Sequence, residues 1–165
     1  AISAGASGNL SNTATVANPV GTSDPNPANN SATDTNTIVV PPNTFTVTGN
    51  LGFTGFVGAT TAPQDAVFTA TAGNLSNISI TGCIFGGTDP GDFAFGTAPM
   101  FPLTAVPGAT LNLPVVFTPT ALGNRAATLN CNLANASPAF FTVNLQGTGN
   151  PQLPVISATK AVSGN

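Results

Sequence analysis

Charge is what this sequence has least of. Seven of its 165 residues are ionisable at neutral pH: Asp24, Asp34, Asp65, Asp89, Asp92, Arg125 and Lys160. An ordinary globular chain of this length carries roughly 40. Glu, His, Trp and Tyr are absent altogether. Without His there is no His-based triad, no imidazole metal ligand and no imidazole pH switch. Two basic residues cannot neutralise a row of phosphates, which excludes nucleic acid as a partner. No run approaches 18 consecutive apolar residues, so no helical membrane span is expected. No basic start with an apolar stretch behind it is present either, and Ala1 reads as a mature or trimmed end.

Small neutral polar residues fill the space: 25 Thr, 19 Asn and 10 Ser. Hydrophobic residues make up 41%, too many for charge-driven disorder. Helix signals are missing, since there is no Glu, one Lys, one Arg and no long run of period 3.6. Thr, Val, Ile and Phe recur between Gly and Pro, the pattern of many short strands and turns. An all-β chain is expected.

Residues 41–150 read as one sandwich. Alternation predicts strands over 44–48, 64–71, 78–81, 92–95, 110–117, 125–133 and 140–146, with Gly147-Thr148-Gly149 ending the series. Phe53, Phe56, Phe68, Phe85, Phe93, Phe95, Phe117, Phe140 and Phe141 read as core. Residues 1–40 hold one alternating strand, Leu10–Val16, then a turn-rich loop and a second extended run, Ser31–Val40. Residues 151–165 hold one strand-like segment, 153–162. Two or three strands do not make an independently stable domain.

Cys83 and Cys131 are an even pair in a charge-poor, Thr/Asn-rich chain, consistent with one disulfide and an extracellular setting. Two buried thiols are the alternative. The carboxylates Asp89 and Asp92, three apart in Asp-Pro-Gly-Asp, are either a cation site or a turn, and turn chemistry explains them without a ligand. Asp24, Asn26, Asn29 and Asn30 form an oxygen-rich loop, but one carboxylate would give calcium only a weak site. Lys160 reads as a solvated edge lysine, and Arg125 as a strand-opening residue that solvates or pairs locally. No cofactor, metal ligand set or catalytic group is expected. Five Asn-x-Ser/Thr triplets match chance in a chain of this composition.

The words Ile80-Thr81-Gly82, Gly86-Gly87-Thr88-Asp89-Pro90-Gly91-Asp92-Phe93, Pro107-Gly108-Ala109-Thr110, Val116-Phe117-Thr118-Pro119-Thr120 and Leu145-Gln146-Gly147-Thr148-Gly149 occur in this order. In these words residues 52–150 resemble the choice-of-anchor D domain of bacterial surface proteins, related to abnormal-spindle and hydin-type domains. The resemblance implies an immunoglobulin-like antiparallel sandwich. Asn9–Val16 and Asp24–Thr35 resemble the closing part of a conserved repeat of bacterial surface proteins, and 155–164 resembles the opening of the same repeat.

An incomplete sandwich exposes sheet edges, and open edges recruit strands. The expectation is a structural, non-enzymatic protein of the bacterial cell surface. It would be a subunit of a filament or pilus-like fibre, with itself as chief partner and other surface proteins or glycans as further ones. The contact would be strand addition, with Leu10, Ala14 and Val16 meeting Leu153, Val155, Ile156 and Ala158 of the next subunit. The other reading is an adhesive module cut from a long tandem-repeat surface protein. A carbohydrate-active accessory domain is a third, opposed by the lack of Trp and Tyr.

Overall fold

The computed structural model describes residues 6–152 and Pro154. Its contacts divide the chain after Pro42 into two units. The first is an antiparallel hairpin of β1 (Gly8–Thr15) and β2 (Ser31–Ile38), paired without interruption from Gly8–Ile38 to Thr15–Ser31. The loop between them contains one short 3-10 turn, Pro27–Asn29, opened by a proline at its first position.

The second unit is a sandwich of nine strands: β3 (Phe45–Val47), β4 (Leu51–Phe56), β5 (Gln64–Ala70), β6 (Ile78–Gly86), β7 (Phe93–Phe95), β8 (Leu103–Ala105), β9 (Thr110–Phe117), β10 (Gly123–Ala134) and β11 (Phe140–Asn150). One sheet has the order β3-β5-β9-β7, the other β4-β11-β10-β6-β8. All pairings are antiparallel except β4 with β11. This is an immunoglobulin-like arrangement, as the resemblance implied.

Period-two alternation makes the core. Ala66, Phe68 and Ala70 of β5, Leu113, Val115 and Phe117 of β9, Ala127, Leu129, Cys131 and Leu133 of β10, and Phe141, Val143 and Leu145 of β11 all face inward and are buried. The rings pack in pairs, with Phe93 and Phe117 at 4.9 Å and Phe45 and Phe68 at 5.1 Å between centroids. Such pairs add about 0.5–1.5 kcal/mol each beyond the area they bury. Phe56 and Phe140 depart from expectation. They take outward positions and are 46% and 61% exposed.

Several strand bounds differ from those expected. β4 is not among the expected strands, since Gly52 and Gly55 in Leu-Gly-Phe-Thr-Gly-Phe leave gaps in the alternation, yet Leu51 and Phe53 are buried. β8 is only three residues long. β6 continues past Thr81 to Gly86. Gly147-Thr148-Gly149 does not end β11; it runs on to Asn150 in parallel register with β4, Gly147 beside Phe53 and Gly149 beside Gly55. No helix among the described residues is long and apolar enough to cross a membrane.

Candidate functional site

The hairpin has two faces of different chemistry, because β1 and β2 pair in register. One face carries Leu10, Asn12 and Ala14 opposite Asn36, Asp34 and Ala32, with Ile38 at its end. The other carries Asn9, Ser11, Thr13 and Thr15 opposite Thr37, Thr35, Thr33 and Ser31. On that polar face the Thr13 and Thr33 hydroxyls share a hydrogen bond of 2.9 Å, and the Thr37 hydroxyl donates to the Asn9 carboxamide oxygen at 3.2 Å. Every residue of β1 and β2 is exposed except Ile38, which is half-buried. Among the described residues the hairpin has no buried core. A two-stranded sheet of this kind is marginal in water by itself.

Its backbone edges are open as well. Among the described residues β1 and β2 pair only with each other. The Val16 amide donates to the Asn30 carbonyl at 2.9 Å, which fixes the phase of the ladder. Antiparallel bonding alternates along the strand, so the amides of Ser31, Thr33, Thr35 and Thr37 point away from β1. Two free edges of eight residues result. The sandwich is guarded by contrast. Its edge strands β3, β7 and β8 are three residues each, and β4 is six. The Gly52 carbonyl in β4 is already taken by the Gln64 side-chain amide. Short edges resist strand pairing and long ones invite it.

Of the residues expected at a subunit contact, Leu10 (45% exposed) and Ala14 share the mixed face of β1. Val16 lies one residue past β1 and is 66% exposed. Leu153, Val155, Ile156 and Ala158 lie outside the described residues, as does Lys160.

The charged groups of the sandwich are arranged differently from the sequence reading. Arg125 does more than open a strand. Its guanidinium binds Asp92 through Nε at 2.5 Å and Asp89 through Nη2 at 2.7 Å. Asp92, 3% exposed, also accepts the Thr120 hydroxyl and amide at 2.8 and 3.3 Å. The Ala126 amide donates to Asp89 at 3.0 Å. Burial pushes the Asp92 carboxyl up. The hydrogen bonds from Arg125 and Thr120, with the Arg125 charge, outweigh it and hold the group below the ordinary carboxylate range. Bonding to Asp92 likewise raises Arg125 against the opposing effect of burial. The cluster ties the turn Asp89–Asp92 to the start of β10. Its cation is an arginine, and no buried polar side-chain atom among the described residues is left without a partner. Sequence reasoning missed it, though two nearby Asp and a single Arg in so uncharged a chain were a usable signal, because buried ions are paired.

Asp24 accepts the Asn26 amide at 2.8 Å, a local turn bond. Among the described residues no three Cys, Asp, Glu or His gather as a metal site. Cys83 and Cys131 form a disulfide between directly paired residues of β6 and β10, within one sheet. That bond is compatible with an oxidising, extracellular compartment.

No protein-family model matches the chain, and no curated protein matches it. Among solved structures it is similar to the ASH/PapD-like domain of human CEP192 (PapD-like domain 7). The two share 14% identity with a TM-score of 0.48 over 70% of this chain and 92% of that one.

Proposed function

We propose that this chain is an extracellular structural protein, a subunit that assembles head to tail on a bacterial surface by β-strand addition. The sandwich serves as a rigid choice-of-anchor D-type spacer and the hairpin as the acceptor. The observation that carries the reading is the hairpin itself: two eight-residue strands, exposed on both faces, with both edges open. A third strand would satisfy one row of backbone groups and cover part of the mixed face around Leu10 and Ala14. The contact is heterologous, since a tail meets a hairpin, so it propagates into an open filament. The surface chemistry fits. With Asp89, Asp92 and Arg125 joined together, Asp65 is the one remaining charged side chain of the sandwich among its described residues. Little charge repulsion opposes association.

Electron microscopy of the full chain against a chain lacking residues 151–165 tests this. Uniform fibres that vanish with the deletion are expected. Single particles for both chains would overturn the reading in favour of an adhesive module of a larger surface protein.

A further inference from the structure

We infer that residues 156–163 of a second copy add antiparallel to the free edge of β2, with Lys160 opposite Asp34. This rests on the strand-addition reading above and names its site. The argument begins with the charges. Arg125 is held by Asp89 and Asp92, which leaves Lys160 as the one cation outside that cluster. Three carboxylates remain for it. Asp24 sits in the loop between β1 and β2. Asp65 is on β5 opposite Pro114 of β9, and on its other side β5 offers only a short stretch before β3 pairs from Phe68 onward. Asp34 is on a strand with an open edge, on the same face as Ala32 and Ile38.

The segment's own pattern selects that face. Ile156, Ala158, Lys160 and Val162 alternate with Val155, Ser157, Thr159 and Ala161. Setting Lys160 opposite Asp34 in antiparallel register sets Ile156 opposite Ile38 and Val162 opposite Ala32. On the other face Thr159 meets Thr35 and Ser157 meets Thr37. Eight residues then cover the eight of β2. A slip by one residue would turn Ile156 and Val162 to the hydroxyl face. The ladder phase agrees with this register. The outward amides are those of Ser31, Thr33, Thr35 and Thr37, so Asp34 falls at a non-hydrogen-bonded position, where opposed side chains lie closest.

The test compares the concentration at which full chains assemble in low salt. Asp34→Lys and Lys160→Asp each oppose like charges and are expected to raise that threshold about three- to tenfold. Asp34→Lys with Lys160→Asp should return it to within about twofold of the original. Asp24→Lys, with the same net charge change as Asp34→Lys, should leave it unmoved. At about 1 M salt the single-variant defects should fade. Assembly unaffected by either single change, or a double variant no better than the singles, overturns the register while strand addition stands. Failure of the unaltered chain to assemble overturns both. A photo-reactive side chain at position 156 should crosslink to the Ile38 region of a different chain. A crosslink near Ala32, or within one chain, overturns the antiparallel intermolecular pairing.

Discussion

The ring of Phe117 lies against the bare Cα of Gly147, so closely that a Cβ there would fall inside the ring's own contact distance. Phe117 is fully buried on β9, and Gly147 faces it from β11 across the two sheets. Two residues on, a Cβ at Gly149 would strike the Ala121 carbonyl. The sequence word Leu-Gln-Gly-Thr-Gly is therefore a packing device at inward positions of a strand, where any side chain would push the sheets apart.

Gly147→Ala should destabilise the sandwich by about 1–3 kcal/mol through overpacking. Denaturant unfolding checks this. Phe117→Leu on the same background should recover part of the loss, because the two positions share one volume. Additive losses would show that the contact does not limit the site.

Asp92→Asn should cost about 1–3 kcal/mol at neutral pH, since it weakens the charge-assisted bonds to Arg125 and Thr120. The pH dependence has a fixed sign. The Asp92 carboxyl is lowered in the folded chain, so its contribution is complete above the unfolded value near pH 4 and is lost as pH falls through the folded value. Urea unfolding of both chains should show a gap at pH 7 that narrows as the pH is taken below the ordinary carboxylate range. A gap independent of pH would contradict an ionised Asp92 as its source.

Replacing Cys83 and Cys131 by Ser should lower sandwich stability by up to about 4 kcal/mol, given a sequence separation of 48. The fold should survive, because β6 and β10 stay paired by their ladder over both sides of the bridge. Circular dichroism and thermal unfolding under reducing conditions check both statements. Loss of the β spectrum at room temperature would contradict the second.

The fold was legible where side chains alternate, as in Thr110–Phe117, whose bounds the pattern gives to the residue. It was illegible where glycine stands in for a side chain. Gly147 and Gly149 read as the end of the series and no strand is expected over Leu51–Phe56, yet Gly52, Gly55, Gly147 and Gly149 all lie in the parallel pairing of β4 with β11. The Arg125 cluster was hidden for another reason. It joins residues 33 and 36 positions apart, and only tertiary structure brings them together. The hairpin was legible as two strands with residual apolar positions. Its two open edges and the phase of its outward amides needed the register.

Amide hydrogen exchange resolved along β2 tests strand addition most directly. In dispersed chains the amides of Ser31, Thr33, Thr35 and Thr37 should exchange freely, because they point away from β1. On assembly they should gain protection of about two orders of magnitude or more, while the amides of β8 and β3 at the sandwich edges stay unchanged. Fibres in which those four amides still exchange freely would contradict the account.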